Sequence, residues 1–118
     1  FVQPNELVEV MRNARCLVLP SFEEHWGVVV HEAALTGCAL ALSQTVGASE
    51  DLAQAENAAL FKPKDRHSIE DALRSIARWD QSEWKNAERT SRSLALKFGP
   101  ERFADAVCDI VRDLGMNV

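Results

Sequence analysis

The sequence has no long apolar run, and no stretch approaches the roughly 20 consecutive apolar residues that a helix needs to cross a bilayer. It also lacks the charged and apolar leader that directs secretion, and its first residue is a phenylalanine instead of a methionine. We therefore expect a soluble segment of a longer polypeptide. A peripheral membrane contact elsewhere in that polypeptide stays open.

Cysteine is scarce, with three widely spaced residues at positions 16, 38 and 108. This odd number, with two thiols inside apolar runs, indicates reduced, buried cysteines in a cytosolic protein and excludes a disulfide framework or a zinc site. Basic residues are also fewer than acidic residues: the sequence has 13 Lys and Arg and 18 Asp and Glu, which gives a net charge of -5. That balance argues against nucleic-acid binding, although backbone N–H groups at a helix start can still hold a phosphate.

What the sequence does contain is a series of apolar runs separated by helical patterns. Residues 16–19 and 38–42 are apolar without polar alternation, which is typical of parallel strands covered on both faces, and residues 58–61 are a third candidate. The alternation predicts an α/β fold, namely the second half of a Rossmann-like, doubly wound parallel sheet of about three strands with C-terminal helices.

Helical patterns precede the first predicted strand, separate the first strand from the second and follow the third, and no helix is predicted between the second and third strands. A first helix is predicted over residues 5–14, a second begins near Gly27, and two or three follow the last strand. Asp65 or Ser68 is the expected N-cap of the first of these later helices, and Ser82 that of the next.

The segment between the first two strands, PSFEEHWGVVVHEAALTG, is rich in groups that bind ligands. Its loop lies at the carboxyl edge of the predicted sheet, where open α/β folds bind their ligands. Gly27 would let a ligand approach the backbone closely. The N–H groups of Gly27, Val28 and Val29 would face that ligand at the positive end of a helix, which suits a phosphate.

Two carboxylates flank this phosphate position. Glu32 follows Gly27 by five residues, roughly 7.5 Å along the helix axis, and its side chain leans back toward the helix start. There it can accept two hydrogen bonds from a vicinal diol such as a ribose, and Glu24 in the loop can do the same for a second polyol. Two diol-binding carboxylates beside one phosphate site describe a nucleotide sugar.

The spacing of these residues resembles the donor-site signature of the retaining glycosyltransferases of family 4. That signature runs Pro-Ser, a few residues, Glu, two residues, Gly, a β-branched or leucine run, Glu-Ala and a closing Gly. The matching positions here are Pro20, Ser21, Glu24, Gly27, Glu32, Ala33 and Gly37. The version WGVVVHEA looks especially like a bacterial branch that makes surface polysaccharides and glycolipids, and the segments FVQPNELVEVMRNARCLVLPS, SQTVGASEDL and FKPKD are similar to the flanking parts.

The resemblance implies the GT-B architecture of two Rossmann-like domains. Residues 1–118 would be part of the C-terminal donor-binding domain, without the N-terminal acceptor domain. By family analogy Glu24 contacts the transferred sugar and is the catalytic candidate, while Glu32 binds the ribose. The backbone that would meet the sugar and the diphosphate belongs to His25, Trp26, Gly27, Val28 and Val29.

Three further residues are candidates for the same site. Ser43 ends the second strand at the same sheet edge as Glu24, and Gly47 and Glu50 match a further family segment. The resemblance also implies hexosyl transfer with retention of anomeric configuration, without a metal or other cofactor. The expected partners are a nucleotide-sugar donor and a glycan or lipid-linked acceptor, in the cytoplasm, with the inner membrane face left open. The segment alone is expected to be inactive, because the family's basic pair that binds the diphosphate would lie upstream of Phe1.

Two other functions stay open. One is a sugar-nucleotide epimerase of the same architecture, and the other is a non-catalytic module that binds nucleotide sugars or partner proteins. Packing or simple solvent exposure is the expected role of the remaining conspicuous side chains, which are Trp26, His31, Lys62, Lys64, Arg66, Trp79 and Trp84.

Overall fold

The computed structural model describes residues 3–115, without the side chains at positions 4, 100, 102 and 103, so the first two and last three residues of the predicted domain lie outside it. Within this range, one parallel sheet contains β1 (Cys16–Leu19), β2 (Ala39–Ser43) and β3 (Ala58–Phe61), in the order β1-β2-β3. All three predicted strands are confirmed, with β2 shifted by one residue.

The described range also contains six helices. They are α1 (Pro4–Asn13), α2 (Val28–Leu35), α3 (Ser49–Leu52), α4 (Arg66–Ala77), α5 (Gln81–Leu96) and α6 (Pro100–Asp113). The four-residue α3 was not predicted, because one turn is too short to show a helical repeat.

The caps of α4 and α5 differ in how well the sequence predicted them. The Asp65 carboxylate accepts a hydrogen bond of 3.0 Å from the N–H of Ser68, which confirms Asp65 as the cap of α4. For α5 the prediction of Ser82 was wrong. Asp80 is the cap and accepts from the N–H of Glu83 at 2.8 Å, because the helix begins at Gln81 and leaves Ser82 inside the first turn.

The core has two layers, one on each face of the sheet. On one face Leu40 and Leu42 of β2 pack with residues of α2 and α5, and on the other face Ala39 and Ala41 pack with residues of β3 and α4. Every residue of β2 is buried, as expected for a strand covered on both faces. This arrangement confirms the predicted α/β fold class and places α2 and α5 together on one face of the sheet.

A buried polar network joins α5 to the segment that leads into β3. The Asn57 side chain donates to the Leu52 carbonyl at 2.9 Å and to the Ser91 hydroxyl at 3.0 Å, and accepts from the N–H of Gln54 at 2.7 Å. Ser91 in turn donates to the Cys38 carbonyl at 2.7 Å. Asn57 and Ser91 are fully buried and out of reach of water, so their polar groups depend on these hydrogen bonds within the protein.

Replacing Asn57 by alanine is expected to lower the free energy of unfolding by about 2–4 kcal/mol, because it leaves several buried groups without partners. The matched control is Asn86→Ala on the exposed side of α5, where we expect a change within about 0.5 kcal/mol. Urea unfolding followed by tryptophan fluorescence measures both changes. Equal effects of the two substitutions would contradict the role of the network.

Candidate functional site

Two loops meet at the carboxyl edge of the sheet. The β1–α2 loop (residues 20–27) follows the first strand, and the β2–α3 loop (residues 44–48) follows the second. Glu24 and Val46 form a parallel β-bridge between the two loops. The two loops are therefore paired at Glu24 and Val46, beyond the ends of β1 and β2.

The start of α2, where the sequence predicted a phosphate site, has a glycine N-cap and unbonded backbone N–H groups. Gly27 is the N-cap with φ 88° and ψ 73°, a left-handed conformation that glycine adopts without strain. The first N–H of α2 with a hydrogen bond in the described part of the chain is that of Val30, which donates to the Gly27 carbonyl at 2.9 Å. The N–H groups of Gly27, Val28 and Val29 thus have no hydrogen-bond partner among the described residues, and of these three residues Gly27 is buried and Val28 is exposed.

Packing gives a second reason for glycine at position 27. A Cβ atom there would lie 3.1 Å from Cγ2 of Val30 and 3.4 Å from Cγ of Glu24. The missing side chain therefore makes room for neighbouring residues of the protein. The close approach of a ligand to the Gly27 backbone stays a prediction.

Both predicted carboxylates are accessible. Glu32 is exposed and shares the outer face of α2 with the exposed Val28, whereas Val30 and Ala33 are buried on the opposite face. Glu24 is half-buried, with its side chain lying against Gly27. Neither carboxylate has a hydrogen bond or ion pair with any other residue that the structure describes. Their oxygens are free to accept hydrogen bonds from ligand hydroxyl groups.

His31 connects the site to α5, and Trp26 connects it to Phe98, which follows that helix. The Trp26 ring lies 6.0 Å from the Phe98 ring, with the planes tilted by 53°, and belongs to the core on that face of the sheet. Nε2 of His31 lies 2.9 Å from the Ala95 carbonyl oxygen. These contacts confirm the packing roles expected for the two side chains, while a ligand contact through the Trp26 backbone stays a prediction.

The remaining candidates have different positions at the same edge. Ser43 is fully buried, with its hydroxyl 2.8 Å from that of Thr45. Glu50 is exposed in the first turn of α3, and His25 is exposed at the tip of the β1–α2 loop. Gly47 lies directly under that loop, since a Cβ atom on it would overlap the carbonyl oxygen of His25.

With this geometry established, comparison with known proteins identifies the family. The family model described as "Glycosyl transferases group 1" matches residues 1–92. The chain belongs to the group 1 glycosyltransferases. The matched range includes both loops and every predicted site residue.

Solved structures support the same fold for this glycosyltransferase chain. Sucrose-phosphate synthase from Thermosynechococcus elongatus matches with a TM-score of 0.76 at 24% sequence identity. The alignment covers 89% of this chain and 26% of that chain, so the glycosyltransferase segment spans about a quarter of the protein that it resembles. The likeness shows the fold, an α/β domain of the GT-B type. The search of curated proteins found no match.

Sequence reasoning missed two residues at the carboxyl edge of the glycosyltransferase sheet. The Thr45 hydroxyl donates to the Ser21 carbonyl at 3.1 Å and thereby links the two loops. Lys64 was predicted as part of a solvated turn, and it is exposed, but its Nζ lies 4.6 Å from the ring centre of Phe22. The two hydroxyl residues at the strand end, in Ser43-Gln44-Thr45, are the sequence signal that would have indicated a hydrogen-bonding role for Thr45. The left-handed backbone of Lys64, with φ 67°, has no such signal in the sequence.

A cleft of about 330 Å³ lies at the opposite, amino edge of the sheet. Four cations line it, namely Arg12, Arg15, Lys85 and Arg92. Arg15 stacks on the Trp84 ring at 4.0 Å, and Arg92 pairs with Glu88 at 2.7 Å and lies 3.4 Å from the Thr36 carbonyl near the end of α2. Stacking on Trp84 explains the position of Arg15, and the contacts with Glu88 and the end of α2 explain that of Arg92. The cleft is separate from the candidate site.

The described residues contain no group of three or more His, Cys, Asp or Glu residues that could hold a metal ion. In the same range, no helix combines the length and the apolar character that crossing a membrane requires.

The thiol of Cys16 has a strongly shifted pKa. Its pKa rises from 9.0 to about 11, chiefly because burial disfavours the thiolate, and also because of the neighbouring Cys38, while a hydrogen bond with the Ala41 backbone acts in the opposite direction. The structure thus indicates an unreactive thiol at the amino end of β1. Cys38 is buried as expected, whereas the expectation of burial is wrong for Cys16 and Cys108, which are partly exposed.

The alkylation rate of Cys16 by iodoacetamide is expected to keep rising up to about pH 11, because the thiolate is the nucleophile. In urea the rate should level off near pH 9 instead. The protonated thiol is favoured in the folded state, because the pKa there is higher than in the unfolded state. The contribution of Cys16 to the free energy of unfolding is therefore complete below pH 9 and is lost as the pH rises from 9 to about 11. Mass spectrometry after short pulses of reagent measures the rates. A plateau near pH 9 in the folded protein would disprove the shift.

Proposed function

We propose that this chain is the second half of the donor-binding domain of a retaining hexosyltransferase of family 4. The full protein would transfer a sugar from a nucleotide sugar to a glycan or lipid-linked acceptor, in the synthesis of bacterial surface polysaccharides. The observation that carries the proposal is the pair of unpartnered carboxylates, Glu24 and Glu32, near the free N–H groups at the start of α2. Membership of the group 1 glycosyltransferases gives this arrangement its chemical context.

Each group has a role in the proposed reaction. Glu32 accepts hydrogen bonds from the ribose hydroxyls, and Glu24 accepts them from the sugar that is transferred. The N–H groups of Gly27, Val28 and Val29 face the diphosphate. Negative charge develops on this leaving group as the bond to the sugar breaks, and fixed N–H donors at a helix start stabilise such charge.

The proposal also includes parts beyond this chain. β1 is an outer strand of the described sheet, and its Val18 is 43% exposed. This edge can pair with a strand from the first half of a doubly wound domain. We propose that the acceptor site lies in a separate N-terminal domain. We also propose that the protein is located in the cytoplasm, where it can work at the inner face of the membrane. The proposed transfer uses no metal or other cofactor.

Calorimetric titration of the full-length protein with a panel of nucleotide sugars tests the proposal. We expect one donor to bind and to be consumed only when an acceptor is present. Conversion of the donor without an acceptor would identify an epimerase instead. Binding without any turnover would identify a non-catalytic module, and the absence of binding to the whole panel would reject a donor site.

A further inference from the structure

We propose that Gly47 and Thr45 are positioning residues that hold Glu24 in place and do not bind the donor themselves. The inference rests on the proposed function of Glu24. It concerns residues 45–48, called here the clamp segment, which lie beside the β1–α2 loop throughout its length.

The clamp segment donates hydrogen bonds to three carbonyl groups of the β1–α2 loop. The Thr45 hydroxyl donates to the Ser21 carbonyl at 3.1 Å. The N–H of Gly47 donates to the carbonyl of Glu24, and the N–H of Ala48 to that of Trp26, both at 2.8 Å. Three bonds over six residues fix the path of the loop on both sides of Glu24.

The clamp segment is itself attached to β2 and to the hydrophobic core. The buried Ser43 hydroxyl lies 2.8 Å from the Thr45 hydroxyl and accepts from the N–H of Thr45 at 3.4 Å. Val46 is 1% exposed and belongs to the core shared with Val30. A segment anchored in this way by the core can fix the position of the more exposed loop above it.

Gly47 is the point of closest contact. A Cβ atom there would overlap the carbonyl oxygen of His25 and lie 3.3 Å from that of Glu24. Because these are backbone atoms, any larger residue must push the loop away. The Gly47 N–H is already bonded to Glu24, so it is not available to a diphosphate. Both facts assign Gly47 to the loop's position and not to ligand contact.

The position of the loop determines the direction of the Glu24 carboxylate. The backbone of Glu24 is in a bridge with Val46, and its side chain lies against Gly27. A carboxylate that orients a sugar for transfer must be placed to within a fraction of an ångström, and a 1 Å displacement can cost about 100-fold in rate. Glu32 lies on α2, and none of the three bonds has an acceptor on α2.

The test compares Gly47→Ala and Thr45→Val in the full-length protein. We expect kcat to fall roughly 10- to 100-fold for Gly47→Ala and several-fold for Thr45→Val, with affinity for the free nucleoside diphosphate within about 3-fold of wild type. Thr45→Ser keeps the hydroxyl and should restore most of the rate. In a Glu24→Gln background, Gly47→Ala should have little further effect, because both changes act on the same group.

Hydrogen exchange separates failure of the clamp from failure of the proposed function. The amides of Gly47 and Ala48 are expected to exchange faster in Thr45→Val than in Thr45→Ser, and this needs no activity. If exchange is faster in Thr45→Val, but the transfer rate is unchanged both in Thr45→Val and in Glu24→Gln, Glu24 has no role in transfer. That result would reject the role of Glu24 and the inference that rests on it. Unchanged exchange, or multiplicative effects of Gly47→Ala and Glu24→Gln on kcat, would reject the clamp alone.

Discussion

Glu32→Ala is expected to weaken binding of both the nucleotide sugar and the free nucleoside diphosphate by about 100-fold or more. The substitution removes two hydrogen bonds from hydroxyl groups to a carboxylate, and each such bond is worth about 1.5–3 kcal/mol. In the structure this carboxylate is exposed on the outer face of α2 and has no partner among the described residues. The N–H groups at the start of α2 would remain. Calorimetry with the free nucleoside diphosphate measures the effect without requiring turnover.

A matched control tests whether the effect is local. Glu56 is also exposed, but it lies before β3 at the amino edge of the sheet. Glu56→Ala changes the net charge by the same amount and should leave both affinities unchanged. Equal weakening by the two substitutions would indicate a general electrostatic effect, and unchanged binding in Glu32→Ala would contradict a ribose contact.

The elements of this domain were predictable where local patterns decide them. The uninterrupted apolar runs of β1 and β2 reflect burial on both faces of the sheet, and this burial is what the structure shows for β2. The start of α2 was predictable because only glycine tolerates the conformation that the chain adopts at Gly27 without strain. The single turn of α3 and the choice of Asp80 over Ser82 depend on tertiary context and were not.

The parts of the site that depend on contacts between distant residues were not predictable from one sequence. Nothing local in the sequence reveals that the His25 carbonyl lies against Gly47, and the ligand contact of Gly47 stays a prediction. His31 beside Glu32 could have suggested a catalytic pair, and only the fold shows its ring at the Ala95 carbonyl. A sequence motif specifies which residues belong together, whereas tertiary packing determines which of them face the ligand.

Glu24→Gln is expected to lower kcat by about 100-fold, because an amide that keeps the shape of the side chain loses the charge that strengthens its hydrogen bonds to the sugar. Affinity for the free nucleoside diphosphate should stay within about 3-fold of wild type, since the proposed contact of Glu24 is with the transferred sugar alone. Steady-state rates with saturating donor, compared with calorimetry on the nucleoside diphosphate, measure the two effects separately. Glu32→Ala weakens binding of the free nucleoside diphosphate, whereas Glu24→Gln does not, so the two carboxylates can be distinguished by experiment.

Glu23 provides the decisive control, because it is the exposed neighbour of Glu24 in the same loop. Only Glu24 has the seven-residue spacing to Glu32, and only Glu24 forms the bridge with Val46 and packs against Gly27. Glu23→Gln makes the same change of charge one residue away and should leave kcat unaltered. If Glu23→Gln lowered kcat and Glu24→Gln did not, the register of the motif would be wrong by one residue. A loss confined to Glu24→Gln would instead attribute sugar transfer to the carboxylate whose backbone the clamp segment holds.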